Sequence, residues 1–214
     1  MNERNKLIMA VVAVMMIVAV VVGSTYAFWQ WSTNSSQSTT VNFTVPTGDQ
    51  QLSASISGGT ISVSRLAPTA CTTAKHAYAM SQPLTVTYKN QTTQTASLKA
   101  TLAVSGWTQP HTGTVDLSKL HFTLSKGSSA GSNCTSGTIV KGASSSSFVS
   151  TGNLINNEEI LSVPANTAET SETWYLWVWI DSSYSGGNSG SAVTDPMQDL
   201  SFTLTWSGTI SNQN

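Results

Sequence analysis

The residues able to do chemistry in this 214-residue chain are few and scattered. The histidines are His76, His111 and His121, and none stands in a His-Glu-x-x-His pattern that would set two imidazoles and a general base on one helix face. No glycine loop is built to cradle phosphate. Glu158 and Glu159 are adjacent carboxylates, but neighbours in a strand point to opposite faces and cannot flank one substrate. Catalysis needs converging titratable groups, so the sequence reads as a non-enzyme with no cofactor.

Three other groups carry weaker chemistry. Asp181, Ser183, Ser185 and Gly186 repeat the opening spacing of an EF-hand loop, but Ala192 stands where a bidentate Glu belongs. A looser calcium site from Asp181, Asn188, Asp195 and Asp199 is the metal candidate, set against a solvated turn whose side chains bond their own backbone. Cys71 and Cys134 read as one disulfide in an exported chain, with two free buried thiols as the alternative. In Trp174 to Ile180 both parities are apolar. Either this is a central strand covered on both faces, or Tyr175, Trp177 and Trp179 form an aromatic platform for sugar rings or a partner's strand.

These groups must be held by strands. Val41, Phe43 and Val45 alternate with Asn42 and Thr44, and Leu52, Ala54 and Ile56 alternate with serines. Ile61 and Val63, Leu84 to Tyr88, Leu98 to Val104, Leu120 to Leu124 (with His121 and Thr123 outward) and Leu200 to Trp206 repeat the pattern. Period-2 alternation between Gly, Pro, Asn and Ser clusters predicts an all-β, antiparallel β-sandwich over 41–214. The Ser/Gly-rich stretches 125–147 and 181–195 read as flexible loops.

Charged residues are only 9% of the chain, net charge is −1, and Ser plus Thr make up roughly 30%. Hydroxyls rather than charges therefore keep it soluble. No basic stripe exists to neutralise phosphates, which argues against nucleic acid as a partner. At the N-terminus, Arg4 and Lys6 precede an unbroken apolar run, 7–22, and Thr25 and Ala27 form a small-x-small end. That pattern is a signal peptide over 1–27, cut between Ala27 and Phe28. The alternative is a retained hydrophobic helix over 7–28, about 33 Å long and able to anchor the chain in the cytoplasmic membrane. Either way the remainder lies outside the cell, behind a polar linker at 28–40.

Gly23-Ser24-Thr25-Tyr26-Ala27-Phe28 resembles the export signal of TasA/camelysin-type secreted bacterial surface proteins, where a dedicated peptidase cuts just before an aromatic. Val41 to Val45 with Gly48-Asp49, and Tyr175 to Asp181 followed by Met197-Gln198, Phe202 and Leu204, are similar to the first and last strands of that family. The resemblance spans about the first 50 and last 45 residues. It implies a jelly-roll-like sandwich at the cell surface or in the biofilm matrix, and assembly into fibres less directly. Some of that family are classed as metallopeptidases, which the histidines here do not support. Two functions are therefore expected. One is a structural or adhesive surface protein, monomeric or a homo-oligomer by strand pairing. The other is a module binding carbohydrate or another envelope polymer through exposed aromatics.

Overall fold

The computed structural model describes residues 40–45, 51–64, 66, 68–71, 79–143, 148–184, 195–197 and 199–213. The leader, the cleavage site at Ala27 and Phe28, most of the linker, His76 and Asn188 lie outside the described residues. Among the described residues no helix is long and apolar enough to cross a membrane.

The architecture is all-β, with strands β1 (Val41–Asn42), β2 (Leu52–Ile56), β3 (Thr60–Ser64), β4 (Pro68–Thr69), β5 (Met80–Asn90), β6 (Ala96–Thr108), β7 (Leu120–Lys126), β8 (Thr138–Ala143), β9 (Gly152–Val163), β10 (Thr167–Asp181) and β11 (Ser201–Asn212). One sheet runs β1-β2-β5-β10-β7-β8, with β4 added in parallel beside the end of β10. The second runs β3-β11-β6-β9, and its pairings are antiparallel throughout. Most connections pass from one sheet to the other, as a two-layer sandwich requires.

The alternation explains the layers. Ile56, Leu84, Val86, Leu98, Leu102, Leu204 and Trp206 are buried on the inward parity, and the intervening Ser and Thr residues are the more exposed set. At one end, Phe148 packs 5.2 Å from Phe202 and 6.3 Å from Phe122, linking rings that belong to the two sheets. At the other, the buried Asn90 acts as a hub. Its Nδ2 donates to the carbonyls of Gln94, Val163 and Pro164 at 2.9, 3.1 and 3.0 Å, and its Oδ1 accepts from the Thr92 amide and hydroxyl.

Three sequence expectations change. The 125–147 stretch is not a continuous flexible loop, since Ser125 and Lys126 end β7 and Thr138–Ala143 is a strand. The strand assumed at Glu158 and Glu159 extends over Gly152–Val163 as β9, a length the sequence did not show because Asn156-Asn157-Glu158-Glu159 breaks the alternation. Asn157 takes a left-handed φ of 50° there, and β9 pairs with β6 through three register shifts. His121 points outward from the sheet as expected but is not on the surface. It is 5% exposed, and neighbouring Thr123 and Ser125 are fully buried.

Candidate functional site

The aromatic strip on the outer face of β10 is covered. Its members sit in register with polar residues of β7: Tyr175 opposite Ser125, Trp177 opposite Thr123, Trp179 opposite His121. Residues 127–137 fold back over this strip through successive turns, Ala130 N to Gly127 O, Ser132 N to Ser129 O and Ser136 N to Asn133 O. The Trp177 Nε1–H donates to Ala130 O at 2.9 Å, and the Thr123 hydroxyl donates to Cys134 O. Gly131 lies on the Tyr175 ring; a Cβ there would stand 2.6 Å from Cζ. Cys71 and Cys134 pair at disulfide distance, Cα to Cα 5.5 Å, inside the usual range for a bridge. Together with Ala79 they close over Trp177 and Trp179, which are 1% and 2% exposed. Tyr175, Trp177 and Trp179 are thus not an open platform. The strand is covered on both faces, because small residues pack where large ones could not approach.

The cover leaves polar groups unpaired. His121 Nδ1 and Ser125 Oγ are buried with no hydrogen-bond partner, while His121 Nε2 lies 4.0 Å from Asp181 Oδ2. Each buried polar group left unpaired costs about 1–3 kcal/mol.

The described carboxylates of the calcium candidate face separate partners. Asp181 Oδ1 accepts from the Ser183 amide at 2.8 Å, and bonds from Ser183 hold its carboxyl below the ordinary range. Asp195 Oδ1 accepts from the Tyr184 hydroxyl at 2.7 Å and the Met197 amide at 2.9 Å. Burial first, and then this carboxylate, push the Tyr184 phenol up. Asp199 faces His111 Nε2 at 3.6 Å. Among the described residues no three His, Cys, Asp or Glu side chains gather to hold a metal. Glu158 and Glu159 also diverge: Lys141 Nζ bonds Glu158 at 2.7 Å, whereas Ser97 and Gln213 donate to Glu159.

No family model, curated protein or solved structure matches this chain.

The two flanks of the sandwich are finished differently. On one, β8 and β9 meet through the Lys141–Glu158 ion pair, and the register shifts of β9 roughen its edge. Charge and bulges of this kind discourage another chain from pairing. On the other flank, residues 41–45 bridge both sheets. Val41 and Asn42 pair with Ile56 and Ser55, and Phe43 N donates to Ala54 O at 2.8 Å. Thr44 then makes a parallel bridge to Thr209, donating to Gly208 O at 3.0 Å and accepting from Ile210 N at 3.1 Å. β3 reaches only Thr205 of β11, so this strap occupies the flank that β3 leaves open. Phe43 is buried on Gly208, where a Cβ would meet its ring at 2.9 and 3.0 Å and would also press on Lys99 O.

Sequence reasoning anticipated an N-terminal strand with Phe43 on its apolar face. It missed Gly208 as the seat of that ring; a glycine inside the alternating 200–210 strand was the available signal, since such a glycine marks close approach.

Proposed function

We propose that this chain is an exported, non-catalytic cell-surface or extracellular-matrix protein, structural or adhesive, that associates with its own copies by strand pairing through residues 41–45. The observation that carries the reading is the strap. It sits at the N-terminal end of the domain, holds by a short ladder and one buried ring, and fills an edge that uncharged Ser and Thr residues leave undefended. A neighbouring copy offers the same acceptors, Ala54 O and Gly208 O, so a strap moved to a neighbour would replace every bond that it gave up. The apolar leader and the likeness to TasA/camelysin-type proteins support placement at the surface or in the medium, with a jelly-roll-like reading of the crossing connections. An uncut leader would anchor the chain in the cytoplasmic membrane.

A carbohydrate or envelope-polymer module is the weaker reading, because two of the three rings it would use, Trp177 and Trp179, are buried and Tyr175 is partly covered. Fractionation of expressing cells with N-terminal sequencing tests export. A mature chain beginning at Phe28, or a membrane-anchored full chain, is expected. Intact soluble protein in the cytosol as the main species would contradict the proposal.

A further inference from the structure

Residues 127–137 cover a large aromatic face with little apolar substance of their own. Among them only Ala130 and Cys134 are buried; the rest are partly or well exposed. What closure gains is mainly the burial of Trp177 and Trp179. Three terms oppose it. Ordering this Ser/Gly-rich segment costs conformational entropy. His121 Nδ1 and Ser125 Oγ lose water and gain no partner. Cys71, the anchor of the bridge, is held at a left-handed φ of 50° that a side chain with a Cβ disfavours. The Cys71–Cys134 bridge offsets these terms by keeping the cover's anchor beside the strip whether the cover is open or shut. The two sheets do not depend on it in the same way, since the inward face is filled by Ile56, Val86, Leu102, Leu204 and Trp206.

We infer that residues 127–137 are a redox-held lid. Reduction of Cys71–Cys134 opens it locally, both sheets stay folded, and Tyr175, Trp177 and Trp179 are uncovered with Ser125, Thr123 and His121 beside them. In the reducing step a dithiol supplies two electrons and two protons. The S–S bond breaks to two thiols, and the dithiol becomes a disulfide. A disulfide oxidant that takes up the same two electrons and two protons, becoming two thiols, recloses the lid. A chain that leaves the cytoplasm as a dithiol therefore arrives with the aromatic strip open and shuts it on oxidation.

The test is hydrogen exchange, read by mass spectrometry, on the folded oxidised protein before and after dithiothreitol without denaturant, beside the C71S/C134S variant. Alkylation mass confirms complete reduction. Amides of 127–137 are expected to exchange at least about tenfold faster in both reduced protein and variant. Acrylamide should quench more of the tryptophan emission, protection in 84–88 of one sheet and in 98–104 and 202–206 of the other should hold, and reoxidation should restore the starting pattern. Unchanged protection of 127–137 with both thiols free would overturn the lid. So would loss of protection spread across both sheets, because the bridge would then hold the whole fold rather than a local cover.

Discussion

Replacing Gly208 with Ala probes the strap through one methyl group. The new Cβ would press on Lys99 O and stand 2.9 and 3.0 Å from the Phe43 ring. Lys99 is the register partner of Thr209 in the β6–β11 ladder and cannot withdraw without breaking it. Phe43, near the end of a short strap, can. Expelling a buried Phe forfeits about 2–3 kcal/mol of burial. The Ala side chain returns about 0.4–1 kcal/mol by restricting the unfolded chain. The net expectation is a loss of at least about 2 kcal/mol, since the contact with Lys99 O adds a cost that withdrawal of Phe43 does not relieve, read as a lower urea midpoint with unchanged slope. The double-mutant cycle with F43A makes the argument specific. F43A alone should cost about 3 kcal/mol, and G208A added to it should cost at least about 1 kcal/mol less than it does alone. If G208A is neutral, or if the two costs simply add, Phe43 does not rest on Gly208 and the strap is not held as described.

Other expectations follow from the same packing. N90A should lower stability by about 2–4 kcal/mol in denaturant melts, because several buried partners lose their bonds at once; a change below about 0.5 kcal/mol would contradict the hub. Acid should destabilise the fold. Burial opposes the Glu172 charge, but bonds from Tyr88 and Trp174 and the nearby Lys126 outweigh it, and bonds from Ser183 and Lys141 depress Asp181 and Glu158. Depressed carboxylates stabilise above their ordinary values of 4.5 and 3.8 and lose that contribution as pH falls through their folded values. Tm should therefore drop below about pH 4, less steeply in E172Q; equal slopes in the two proteins would exclude Glu172. At the alkaline end the sign reverses. Burial and Glu172 raise the Tyr88 phenol to about 12, so its contribution is whole below pH 10 and fades between 10 and about 12. Spectrophotometric titration of Y88F against the parent checks this.

Much of the scaffold was legible because inward and outward residues alternate cleanly in 52–56, 84–88, 98–104 and 200–206. The double-sided apolar run at Trp174 to Ile180 fitted either a strand covered on both faces or an aromatic platform, and only the burial of Trp177 and Trp179 separates the two. What covers the outer face was hidden. A cover made of Ala130, Gly131 and Cys134 carries no apolar period, and Ser/Gly-rich sequence reads as loop whether it is packed or free. Only the cysteine within it hinted at an anchor. The extent of strand β9 was hidden by its own bulge, since a left-handed Asn157 shifts the side-chain phase that alternation depends on. The carboxylates near Asp181 looked like a ligand set in sequence because spacing cannot show which partner each oxygen takes. The structure gives those described to Ser183, Tyr184, Met197 and His111.

Strand exchange by residues 41–45 is the central claim, and pinning the strap in place tests it most directly. Asn42 and Ser55 are register partners across β1 and β2, so N42C/S55C can lock the strap to its own sheet by a bond that leaves the fold intact. Sedimentation velocity of the protein, as parent, oxidised N42C/S55C and reduced N42C/S55C, is run over a range of concentrations. Mild reduction with a dithiol confines the opening to the engineered pair, with Cys71–Cys134 confirmed intact by mass. The account predicts assembly that grows with concentration in the parent and the reduced variant, and monomer alone when the strap is locked. A parent that stays monomeric, or a locked chain that assembles equally well, would contradict it.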